Sequence, residues 1–145
     1  MHIRQAIPDD ATALARLCIH LGSPADNELL TSRMIRLCAM ADHRIWVACT
    51  PTGHLCGWLH IAIVFSLDCG RQALIQGLGI EAPYQGQGTG RKLLQHAESW
   101  IIQQHCTVLL GSADAHQDGR QLFFQAEGFQ CQNNQYIYRK SLLRH

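Results

Sequence analysis

The chain has 145 residues, of which 47% are hydrophobic and 16% charged, and a formal net charge of +1. A chain of this length builds one domain whose core buries roughly 70% of its unfolded surface, and its charged fraction lies below the roughly 25% of an average globular chain. Disorder, a polyanionic surface and a basic, nucleic-acid-coating surface find no support, which leaves a small-molecule or protein partner.

Met1-His2-Ile3-Arg4-Gln5 leads straight into a helix-starting sequence with no apolar signal core, so a cytoplasmic location is expected. Arg4 to Ile7 alternates apolar and polar residues as a short strand does, and Pro8-Asp9-Asp10 starts a helix with carboxylates where the dipole favours them. Leu14, Leu17, Cys18 and Leu21 recur at helical spacing until Gly22 and Pro24, and Leu30, Met34, Leu37 and Cys38 predict a second helix from about Asn27 to Ala39. Ile45 to Cys49 and Leu55 to Val64 flank Thr50-Pro51-Thr52-Gly53-His54 as two strands flank a hairpin turn. The most apolar stretch, Cys56 to Leu67, is broken by His60 and Ser66 and falls short of the about 18 residues of a membrane span.

Ala73 to Ile80 reads as another strand, in which Gly77 and Gly79 mark a bulge or a ligand close to the backbone. From Arg91 a helix follows, with Leu93, Leu94, Ala97, Trp100 and Ile101 on one face. Thr107 to Leu110 reads as a buried strand, Asp118 to Glu127 as a helix closed by Gly128, and Gln135 to Leu142 as a last strand after the turn Asn133-Asn134. The expected order is βααβββαβαβ. Seven scattered cysteines without a Cys-x-x-Cys pair read as reduced packing residues, and nine dispersed histidines give no metal site. Trp46, Trp58 and Trp100 are expected to fill the core, and Tyr136 and Tyr138 to pack on one face of the last strand.

The chemistry concentrates in Tyr84-Gln85-Gly86-Gln87-Gly88-Thr89-Gly90-Arg91-Lys92. Glycines at alternate positions expose backbone N–H groups, and the helix that follows adds unpaired donors and a positive dipole end, so the segment suits a phosphate. A Walker A loop is excluded because Lys92 is followed by Leu93 instead of Ser or Thr, and a dinucleotide fingerprint because Arg91 stands where its last glycine belongs.

Gln85-x-x-Gly88-x-Gly90, after a strand ending Leu78-Gly79-Ile80, resembles the coenzyme A signature of the GCN5-related N-acetyltransferases. The resemblance runs from Arg4 to Leu122-Phe123-Phe124-Gln125-Ala126-Glu127-Gly128-Phe129, and implies a single α/β (α+β) domain over residues 1–145 whose mixed, mostly antiparallel sheet is flanked by helices. It further implies acetyl-CoA as cosubstrate, with its pyrophosphate on the amides of Gln85, Gly86, Gln87, Gly88, Thr89 and Gly90, and with Arg91 adding charge. Pantetheine would run beside Leu78, Gly79 and Ile80, and the late helix would bring Phe123 and Phe124 to the cofactor. The implied reaction is acetyl transfer to an amine of a small molecule or peptide, by direct attack in a ternary complex, with a homodimer left open.

Relatives carry a Glu at the position of Gln76 and a Tyr at that of Phe124, so the proton-handling pair is absent. Gln76, His60 and Glu81 are the candidate catalytic residues, of which Gln76 cannot take up the reacting amine's proton and His60 or Glu81 would have to replace it. Asp114 and His116 read as loop or cap residues, and the acids Asp26, Glu28 and Asp68 lie near the expected acceptor entrance. The alternative is an acyl-CoA-binding sensor or a catalytically weakened module.

Overall fold

A computed structural model describes residues 1–113, 118–132 and 136–143. The chain falls into two compact units, Met1–Ser112 and Ala113–His145. The first holds β1 (His2–Gln5), a 3-10 turn (Pro8–Asp10), α1 (Ala11–His20), α2 (Asn27–Cys38), β2 (His43–Cys49), β3 (Leu55–Ser66), β4 (Gly70–Ile80), a second 3-10 turn (Ala82–Tyr84), α3 (Thr89–Gln103) and β5 (Leu109–Leu110). The strands form one sheet in chain order, antiparallel except for the parallel pair β4 and β5.

Local chemistry places the joints. The buried Asp10 accepts two hydrogen bonds from the Arg4 guanidinium, at 2.7 and 2.8 Å, and a third from the Ile7 amide at 2.9 Å, pinning the end of β1 to the start of α1. Asp26, one of the acids near the expected acceptor entrance, caps α2 by accepting from the Leu29 amide at 2.8 Å. Gly53, at φ +89°, closes the β2–β3 hairpin.

Alternation along β2 assigns the two faces of the sheet. Ile45, Val47 and Cys49 join Leu14, Leu17 and Met34 in a core beneath α1 and α2. Trp46 points the other way and meets Trp100 of α3 edge-on, with ring centroids 5.6 Å apart. Helix α3 buries Leu93, Leu94, Ala97, Trp100 and Ile101, the face its periodicity predicts; each large side chain so buried contributes about 1.5–3 kcal/mol.

In the second unit, α4 (Asp118–Ala126) ends where Gly128, at φ +88°, lets the Phe129 amide donate to the Phe124 carbonyl at 2.9 Å. The α/β (α+β) architecture with its mixed, mostly antiparallel sheet and flanking helices is thus the expected one as far as α4.

Three expectations need correction. β1 lies earlier than Arg4 to Ile7, because the Asp10 clamp turns the chain at Pro8. The strand expected over Thr107 to Leu110 shrinks to two half-buried residues, with Val108 43% exposed, since the ladder to β4 covers Leu109 and Leu110 only. The last strand is not formed over Tyr136 to Leu142, and Gln135, like the Asn133-Asn134 turn, lies outside the described residues. Tyr136 and Tyr138 are 80% and 90% exposed rather than packed. Their alternation supplies β propensity, which needs a neighbouring strand to act on.

Candidate active site

Gly86 and Gly88 adopt left-handed backbone at φ +75° and +79°, and a side chain on either would meet nothing within 4 Å. Glycine is needed there for the backbone turn, and the space above the loop is open. Gly88 caps α3 without any side-chain hydrogen bond, and the first turn holds no acid. The helix therefore presents its N-terminal end to whatever anion occupies the loop, while Thr89 and Gly90 anchor it by burial. Gln85 and Gln87 are engaged locally: their side-chain amides donate to the Ile80 carbonyl at 2.9 Å and the Pro83 carbonyl at 3.2 Å. Arg91 lies in the first turn with its side chain exposed.

β4 carries the second feature. Its ladder with β5 covers Ala73 and Leu74, and beyond that no strand flanks this edge among the described residues. On the other edge His60 pairs with Gly77 and Ile61 with Ile75, so Gln76 is the extra residue of a β-bulge. The ladder with β5 thus ends at Leu74, two residues before the bulge, and β4 then runs through Leu78, Gly79 and Ile80 toward the glycine loop.

A Cβ on Gly77 would collide with the Trp58 ring, and one on Gly79 would lie 2.7 Å from Trp58 Nε1 and 2.6 Å from Leu21 Cδ1. These glycines make room for a tryptophan on β3. Trp58 is half-buried and belongs to the α1/α2 face, unlike the buried Trp46 and Trp100. A large-against-small pairing of Trp58 with Gly79 was available as a signal once the hairpin register was known.

The three proton-handling candidates do not come together. Gln76 is exposed on its bulge. His60 lies next to that bulge in the ladder, but its Nε2 lies 2.9 Å from Nδ1 of His43 on β2, the strand on the far side of β3 from β4. Burial, aided by the neighbouring His43, pushes the His60 pKa down to about 4. Glu81 sits five positions beyond Gln76, roughly 16 Å along a strand rising about 3.3 Å per residue. Its carboxylate lies 3.0 Å from His54 Nε2, and its amide donates to the Cys56 carbonyl at 2.8 Å. Glu81 and His54 also border a cavity of about 270 Å³ with Arg16 and His20. Neither the His43–His60 pair nor the His54–Glu81 pair was signalled by sequence spacing.

Residues 14–129 match the model of the acetyltransferase (GNAT) family. The chain belongs to the GNAT family. A curated relative, the aminoglycoside N(6')-acetyltransferase type 1 of Stenotrophomonas maltophilia, is 29% identical over 111 residues, covering 74% of this chain and 71% of the relative. Among solved structures, the aminoglycoside 6'-N-acetyltransferase AAC(6')-Ih of Acinetobacter baumannii superposes with a TM-score of 0.86 at 21% identity, covering 97% and 98% of the two chains. AAC(6')-Iy in complex with the bisubstrate analogue CoA-S-monomethyl-acetylneamine superposes with a TM-score of 0.87 at 16% identity, covering 97% of each chain.

As a GNAT protein the chain is an N-acetyltransferase that takes its acetyl group from acetyl-CoA. The structure suits that donor: left-handed glycines and an uncapped helix start match a pyrophosphate, and a strand edge that has left its neighbour matches an extended pantetheine. In the second unit Phe124 is buried against Phe129, with centroids 4.8 Å apart, and Phe123 is half-buried beside it. Asp114 and His116 lie outside the described residues. No helix among the described residues is long and apolar enough to cross a membrane.

Proposed function

We propose that the acceptor is a primary amine on an amino sugar of the aminoglycoside type, and that the amine attacks acetyl-CoA directly in a ternary complex. One observation carries the acceptor class, the 29% identity over 74% of the chain to an enzyme named for that substrate. In this reading the backbone from Leu78 to Ile80 lies along pantetheine, and the amides from Gln85 to Gly90, with Arg91 nearby, take the pyrophosphate. Seven unpaired cysteines suit a cytosolic setting.

The reaction forms the C–N bond and breaks the C–S bond, with a strand N–H near the bulge polarising the carbonyl. An amine of pKa ~10.4 is mostly protonated at neutral pH, and freeing it costs roughly 4–5 kcal/mol at 1.36 kcal/mol per unit. The Gln76 amide oxygen can accept a hydrogen bond from the amine and orient it, but cannot keep its proton. With His60 turned to His43 and Glu81 roughly 16 Å along the strand, water takes the amine's proton and returns one to the departing thiolate.

Thiol release from acetyl-CoA, measured over a panel of amines, tests the acceptor. Turnover is expected on neamine and not on the same amino sugar with a hydroxyl at the acceptor position. A higher kcat/KM on a lysine peptide or simple alkylamine would overturn the proposal.

A further inference from the structure

The Trp58 indole lies over β4 at the stretch that, in the proposed reading, runs beside the acyl group. It stretches along the strand from Gly77 to Gly79, over backbone that no side chain of β4 covers on that face. Leu21, the residue that follows α1, also approaches the Cβ position of Gly79. Two further facts separate this indole from a packing residue. Its N–H has no hydrogen-bond partner among the described residues, and none of their fully buried side-chain nitrogens or oxygens lacks a partner, so Nε1 is not fully buried. The ring thus offers a donor and part of a π face beside the reacting edge.

The two faces of the sheet give that offer a direction. The phosphate-type loop runs into α3, which packs on the Trp46 face, whereas Trp58 belongs to the α1/α2 face. A thioester delivered from the α3 side would leave the α1/α2 side for the incoming amine, and on that side the Trp58 ring lies along Gly77 and Gly79.

Building on the amino-sugar reading, we infer that Trp58 is a specificity-determining residue for the acceptor. Its N–H donates to a ring or hydroxyl oxygen next to the amine, and its face packs against the sugar or holds a neighbouring ammonium group by cation–π attraction. Gly77 and Gly79 serve this indirectly, by letting the indole lie flat on the strand.

The test compares wild type with Trp58→Phe, which keeps a ring and loses the donor, and Trp58→Leu, which loses both. Neamine binding is measured by calorimetry on the CoA complex, alongside KM for neamine and for acetyl-CoA, and circular dichroism checks folding. Trp58→Phe is expected to weaken neamine binding about tenfold and Trp58→Leu at least about thirtyfold, with the acetyl-CoA KM unchanged. An acetyl-CoA KM that rises in step would assign Trp58 to packing and overturn the inference. Wild type that binds neamine while Trp58→Phe binds it equally well overturns the role of Trp58 alone. Wild type that binds no neamine overturns the amino-sugar reading and this inference with it.

Discussion

Gln76 is the residue at which this site departs from one built on a carboxylate. An amide takes up no proton between pH 6 and 8, so kcat should keep rising with pH across that range as the bound amine loses its proton to water. Gln76→Glu places a base with an ordinary pKa of about 4.3 on the same bulge. The variant is expected to be at least about tenfold faster at pH 6 and to level off toward pH 8. Superimposable profiles for the two proteins would show that the proton does not leave past position 76. The turn at Gly86 and Gly88 was legible in the sequence because a left-handed backbone almost dictates glycine. The state of His60 was not, because His43 stands 17 residues away and meets it only through the register of two strands.

Among the elements, the Arg4–Asp10 clamp does most to join β1 to α1. The Arg4 hydrogen bonds hold the Asp10 carboxyl below its ordinary range against the opposing effect of burial, and the Ile7 amide adds to them. A depressed carboxylate pKa contributes stability that is present above the unfolded-state value, about 3.9, and lost as pH falls through the folded-state value. Asp10→Asn should therefore cost about 1.5–3 kcal/mol at pH 7 in urea denaturation, and the difference from wild type should narrow below about pH 4. An equal deficit at pH 7 and pH 3 would show that the ion pair is not its source. Helices α1 to α4 and the central hairpin were readable because each carries its own period or turn. β5 and the segment from Tyr136 were not, since strand formation depends on a partner that local sequence does not name. The bulge at Gln76 was hinted at by nearby glycines, whose actual reason is Trp58.

For the whole molecule, the proposed site reconciles a net charge of only +1 with an anionic donor, because backbone amides and one helix terminus would hold the phosphates. Coenzyme A at about 100 times its Kd should stabilise the fold by about 2.7 kcal/mol, raising Tm by roughly 5–10 °C for a chain of this size. Gly88→Asp, which sets a carboxylate in a left-handed position at the anion's place, should abolish that rise while leaving the ligand-free protein folded. A rise of equal size in the variant would place the cofactor elsewhere. The packing of Trp58 on Gly77 and Gly79 also limits how this sequence can drift. Alanine at 77 is barred while residue 58 is tryptophan and becomes available once a smaller residue stands there, whereas alanine at 79 also needs Leu21 to give way. Positions 58 and 77 are sterically coupled, so a side chain at 77 can be introduced only after residue 58 has become smaller.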